Sequence, residues 1–188
     1  MKSKELKSWC LRMMGDQDGV TVLTETTLAE VLGHIAPGQR RTLAATIRGR
    51  SIETTVHCRV PTGYLLNPIN RLPCTEIEVA ASEAGTLLIH YLLAMGAIGE
   101  KWEIRSKDLV EAGRKNRLYV TRYNAHYRRT LPRAEYKLET FLQCVHKVGF
   151  TLFGACRFQV GKAIHGNLVM AFPLGENRLL TVAGGGEE

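Results

Sequence analysis

The chain has 188 residues, 45% of them hydrophobic, and its 25 lysines and arginines outnumber 18 acidic residues for a formal charge of +7. That length fits one domain or two small ones, and the apolar content is ordinary for a globular protein. No run approaches the roughly 20 apolar residues of a membrane helix, and the basic start Met1–Lys7 lacks the apolar core and cleavage site of a signal peptide; a cytoplasmic location is expected.

Lys4 to Met14 reads as a short helix with Leu6, Trp9, Cys10 and Met13 on one side, and Gly15 to Gly19 as a turn. Thr27-x-x-Glu30 is a capping box that opens a helix carrying Leu28, Val31, Leu32 and Ile35, stopped by Pro37-Gly38. A second helix is expected from Gln39 to Arg48, burying Leu43 and Ile47 and exposing Arg40, Arg41 and Arg48, with Arg50 beyond it. The period then changes to two. Ile52, Thr54, Val56, Cys58 and Val60 share one face of a strand over Ser51 to Val60. Prolines and a glycine from Pro61 to Pro73 mark a loop, and Thr75 to Ala80 reads as a partner strand with Ile77 and Val79 inward.

Ser82 is a plausible N-cap for a helix over Glu83 to Met95, ended by Gly96. Ser106 caps a short helix, Lys107 to Ala112, closed by Gly113. A longer helix is expected from Lys115 to Thr130, and Pro132 opens another that buries Leu138, Phe141, Leu142 and Val145. Phe150 to Val160 and Asn167 to Leu174 read as strands joined by the loop 161–166, with a further strand over Arg178 to Val182. The glycine-rich tail, 183–188, is expected to be disordered.

The charge is local. Residues 101–147 hold twelve basic side chains against five acidic ones, the whole net charge of the chain, together with four of the six tyrosines. A neutral body with one basic segment is the footprint of a polyanion binder. On a helical wheel, Tyr119, Tyr123 and Tyr127 face a core. Arg117, Thr121, Asn124 and Arg128 form a polar stripe of residue types that pair with base edges. Arg114, Lys115, Arg122, Arg129, Arg133 and Lys162 suit phosphates.

Helix, short helix, tight turn, basic helix and a hairpin over Glu83 to Leu174 resembles a winged-helix DNA-binding domain, with one additional helix before the hairpin. The expected fold class is therefore α+β: a helix-turn-helix unit with a β-hairpin wing over 82–182, preceded by a smaller N-terminal α/β part over 1–81. The resemblance implies a non-enzymatic protein that binds duplex DNA, in repression or replication control of a mobile element. Thr27 to Arg50 also reads as helix, Pro-Gly turn and basic helix, a second candidate contact surface, and two such units resemble the tandem winged-helix arrangement of plasmid and phage replication initiators.

Two alternatives stay open. The same arginines suit an RNA-binding subunit of a CRISPR-type ribonucleoprotein. His126 in the basic helix suits the general base of a metal-independent endoribonuclease. The other histidines, His34, His57, His90, His146 and His165, stand isolated, and no nucleotide or hydrolase motif is present. Five scattered cysteines argue for free thiols. Cys144, His146, Cys156 and His165 match no zinc spacing, so no metal or cofactor is expected.

Overall fold

The computed structural model describes residues 19–36, 39–57, 74–99, 102–115, 117–128 and 135–174. The elements run β1 (Val20–Leu23), α1 (Glu25–Val31), β2 (Thr42–Arg48), β3 (Ser51–His57), α2 (Cys74–Ala94), α3 (Ser106–Arg114), β4 (Tyr119–Tyr127), β5 (Glu135–Val148), β6 (Thr151–Val160) and β7 (Ile164–Pro173). All seven strands join one sheet in the order β1-β2-β3-β5-β6-β7-β4. Every pairing is antiparallel.

The long helix α2 fills one face of this sheet. Ala80, Ala81, Ala84, Leu87, Leu88 and Ile89 are fully buried, and they meet the inward alternates of the strands, among them Ile52, Leu138, Leu152, Phe158, Leu168 and Met170. Each large apolar side chain buried this way contributes about 1.5–3 kcal/mol. Two glycines set the distance: a Cβ on Gly85 would strike Met170, and one on Gly154 would strike Ile89. By length and composition Thr75–Ala94 is long and apolar enough to cross a membrane, contrary to the sequence expectation; in this fold it is the core helix.

The helix-turn-helix expectation is overturned. The basic helix over 115–130 is the strand β4, and the helix after Pro132 is the 14-residue strand β5. The basic helix over 39–48 is β2, with Leu43 half exposed on its surface, so the tandem unit is absent as well. The partner strand over 75–80 is the start of α2. Ser82 does not cap; its hydroxyl donates to the Val79 carbonyl inside α2 at 2.8 Å. A domain boundary between 81 and 82 would fall inside α2, and strands from both sides of it share the sheet.

The readings over 28–32, 51–57 and 106–112 match α1, β3 and α3. Thr24 rather than Thr27 caps α1, its hydroxyl accepting the Thr27 N–H at 3.2 Å. The β6–β7 hairpin is present with a tighter turn, 161–163. The helix over 4–14, the strand over 178–182 and the tail lie outside the described residues.

Gly166 on β7 shows how tight the packing is. A Cβ there would fall inside contact distance of the Asn124 carbonyl oxygen and the Phe158 ring, while Tyr123 stacks on that ring at 5.6 Å. Gly166→Ala is expected to lower stability by about 1–3 kcal/mol through overpacking, read as a lower midpoint in thermal unfolding. An unchanged midpoint would contradict this packing.

Candidate functional site

Polar groups gather at three places. The first is the start of α2. Glu83, fully buried on α2, takes the backbone N–H of Arg41 on both carboxylate oxygens at 3.0 Å and that of Thr42 at 2.8 Å. Arg41 in turn grips the buried Glu76 with two bonds, Nε to Oε2 at 2.6 Å and Nη2 to Oε1 at 2.9 Å. These carboxylates tie α2 to the entry of β2, which leaves neither as a free catalytic base. Burial pushes the Glu83 carboxyl above its ordinary value, against the pull of the Arg41 and Thr42 donors.

Beside this cluster, the Nδ1 of His57, the last residue of β3, lies 4.0 Å from Glu135 Oε1 at the start of β5; both side chains are about half exposed. The two are register partners. The His57 N–H donates to the Arg41 carbonyl at 2.8 Å. This is a histidine–carboxylate pair at the rim of the sheet.

The second place is the far end of α2. The helix stops at Gly96, φ +68°, with the Ala97 N–H returning to the Leu92 carbonyl at 2.9 Å, a glycine C-cap. Gly99, φ +93°, sits where a Cβ would meet Leu93 and the Ile104 carbonyl. Glu103 adopts φ +55°, the one positive φ among described non-glycine residues. The loop then enters α3, where the Asp108 carboxylate accepts the Arg105 N–H at 2.8 Å. Between the two helix ends lies a cleft of about 900 Å³, with Leu93, Ile98 and Ile104 lining it and Arg105 and Lys107 among its polar residues.

The third place is the outer corner of β6, β7 and β4, where His126 and His165 are register partners with stacked rings 5.3 Å apart. Sequence reasoning missed this pair because the partners are far apart in the chain and the register that joins them is tertiary.

The nucleic-acid residues expected from sequence scatter accordingly. Arg114 ends α3. Lys115 forms an ion pair with Glu111 at 2.6 Å, which holds the Glu111 carboxyl below its usual range. Arg117 lines a small hollow of about 210 Å³ with Pro173 and Leu174. Thr121, Arg122 and Asn124 lie on β4, where the Thr121 hydroxyl donates to the Val169 carbonyl at 3.2 Å. From Arg117 to Arg128 the stripe now spans about 35 Å at strand rise, twice its length on a helix. Arg128 and Lys162 are brought together, since the Arg128 N–H donates to Ala163 beside Lys162 at 2.8 Å. Arg129 and Arg133 lie outside the described residues.

With the recognition helix replaced by an edge strand, the duplex-DNA reading loses the element that was to enter the groove. The RNA-subunit alternative rested on the same arginines, which β4 draws out along a sheet edge, and the ribonuclease alternative placed His126 in that helix. The four-residue cysteine–histidine set is split, with Cys156 fully buried and its thiol pushed up to about 12 by burial and by Cys144, while His165 faces outward. Among the described residues no three potential ligands cluster for a metal.

Glu83 carries a pH prediction. Its folded pKa lies above the ordinary 4.5, so the folded chain holds this proton more tightly than the unfolded one. The resulting stabilisation is complete below that value and is lost as pH rises through the folded pKa. In urea titrations from about pH 4 to about pH 7, Glu83→Gln should remove this part of the pH dependence. Parallel curves for the two proteins would contradict it.

No protein-family profile matches the chain, and no curated protein matches it in sequence. Solved structures do. The dehydratase domain of RzxB from Pseudomonas fluorescens superposes with a TM-score of 0.49 at 12% identity, over 82% of this chain and 50% of that one. Cj0977, a sigma28-regulated virulence protein of Campylobacter jejuni, gives 0.42 at 11%, over 78% and 95%. A mutant of thioesterase PA1618 from Pseudomonas aeruginosa gives 0.38 at 12%, over 91% and 93%. None of these assigns an activity to this chain. The strand order carries the architecture without them: β3-β5-β6-β7-β4, with the long helix inserted after the first strand, is a hot-dog arrangement, not a winged helix.

Proposed function

We propose that the protein binds a small molecule in the cleft between the end of α2 and the start of α3. The observation that carries this reading is the cleft itself. Its volume of about 900 Å³ suits a small-molecule site. Leu93, Ile98 and Ile104 offer an apolar floor, and the charged residues of the lining are balanced, Arg105 and Lys107 against Glu103 and Asp108, the last of which accepts the Arg105 N–H. Glu103 holds a backbone conformation of the kind that costs about 1–3 kcal/mol and gathers at binding sites. An apolar body with a polar head fits this lining. A cytoplasmic setting suits the free thiols Cys144 and Cys156.

The test uses decanoate as the probe and Ala94→Trp, an exposed change at the cleft wall. Wild-type protein should show saturable shifts of the Leu93, Ile98 and Ile104 methyl resonances. The variant should bind about tenfold more weakly or worse while melting at an unchanged temperature. Shifts that never saturate, or equal binding by both proteins, would refute the cleft.

A second reading is favoured by the pair at the other end of α2. There His57 serves as general acid–base, oriented by Glu135, and the protein is an enzyme. Acyl thioesters are the first substrates to assay, one compared structure being called a thioesterase. His57→Ala should then cut hydrolysis by about a hundredfold or more, and Glu135→Gln by less. Activity that survives His57→Ala would remove this reading.

A further inference from the structure

The corner opposite the helix face gathers positive charge from three strands. Strand alternation places His126 and Arg128 on the outer side of the β4 end, His165 and Asn167 on that of β7, and Arg157 and Gln159 on that of β6. The register joins them: His126 opposes His165, His165 opposes Gln159, and Asn167 opposes both Asn124 and Arg157. Lys162 lies in the β6–β7 turn, next to the Ala163 carbonyl that accepts the Arg128 N–H. Directly opposed and diagonal residues across neighbouring strands lie about 5–8 Å apart, so one tetrahedral oxyanion is within reach of several of these groups. None of the five basic side chains makes an ion pair with a described residue. The carboxylate in the same row, Glu139 on β5, is engaged by the Gln159 amide at 2.6 Å.

We propose that His126, Arg128, Arg157, Lys162 and His165 form a binding site for a small phosphate-type oxyanion, such as a phosphate monoester. Two facing imidazoles also suit a transition-metal ion, and electrostatics decide between the two. Desolvation first, and then the neighbouring Arg128, His126 and Arg157, hold the His165 pKa below the usual histidine value. A divalent cation would enter against two guanidinium groups, whereas a dianion is attracted by every charge in the set. The cluster is a spot on three strands rather than a track, which fits one phosphate group.

Binding is linked to protonation. A dianion favours the imidazolium form, so it raises the His165 pKa, and its affinity grows as pH falls through the histidine range. The groups facing the site are Asn124, His126 and Arg128 from β4, His165 and Asn167 from β7, Arg157 and Gln159 from β6, and Lys162 from the turn.

Inorganic phosphate is titrated at about pH 7 and sulfate, which stays a dianion throughout, at about pH 6 and about pH 8, while the imidazole carbon-bound protons are followed by NMR. Sodium chloride at matched ionic strength is the control. Saturable shifts of His126 and His165 are expected, with the His165 titration midpoint raised and sulfate several-fold tighter at the lower pH. The double variant Arg128→Ala/Arg157→Ala, changed only at exposed positions, should retain its melting temperature and bind about tenfold more weakly or worse. Shifts that follow ionic strength alone, undiminished binding in the double variant, or saturable zinc binding with phosphate and sulfate silent would each overturn the proposal.

Discussion

The burial of α2 against one face of the antiparallel sheet is the constraint on which everything else rests. Leu87, Leu88 and Ile89 are fully buried at successive positions of the helix, so contact surrounds it on more than one side. A sheet meets that demand only by curling, and a twisted sheet curls further where extra residues kink its strands. Glycines at 85 and 154 let helix and sheet approach closely. The hydrogen bonds from Arg41 and Thr42 to Glu83 then attach the N-terminal hairpin to the same helix.

The kinks explain why half the sheet was misread from sequence. β-Bulges interrupt the pairing at Thr42/Ala44 in β2, Val120/Arg122 in β4 and Leu142/Cys144 in β5. These three strands are the ones whose pattern reads as helical. An extra residue turns the step of two into a step of three, so the inward positions of β5 run Leu138, Thr140, Leu142, Val145, and the apolar ones among them, Leu138, Leu142 and Val145, have the spacing of a helix face. Phe141, counted into that face, is 38% exposed on the other side of the sheet. In β4 the tyrosines spaced by four read as a core row, yet Tyr119 and Tyr127 are exposed and Tyr123 alone of the three is partly buried, stacked on Phe158. The strands read correctly, β3, β6 and β7, keep a simple alternation of buried and less buried residues over most of their length.

The charge imbalance was real, but its geometry was not that of a helix face. Drawn out along β4, the basic residues lie at a sheet edge, and the chain's polar chemistry sorts to three separate places. Buried carboxylates hold the entry of α2, where their task is attachment. A cleft opens where α2 ends, because two glycine turns and a strained Glu103 carry the chain round to α3. The outer corner collects the cations that the helix face has no use for. His126 and His165, isolated in sequence, become neighbours there by strand pairing alone.

The sequence by itself determined the local net charge, the free thiols of Cys144 and Cys156, the hairpin of β6 and β7 and the presence of α1 and α3, though not their caps, which are Thr24 and Arg105 rather than Thr27 and Ser106; each of these depends on composition or on residues a few positions apart. Only the tertiary structure decided that residues 119–127 and 135–148 are strands. Their tyrosine, threonine and valine content suits a strand, yet propensity is weak, and pairing with β7, β3 and β6 overrides the apparent helical period. The pinned carboxylates and the histidine pair were out of reach because each joins residues distant in sequence whose contact exists only in the folded sheet, whereas the cleft, lined by residues 93–108 alone, depended on the path of the backbone between α2 and α3.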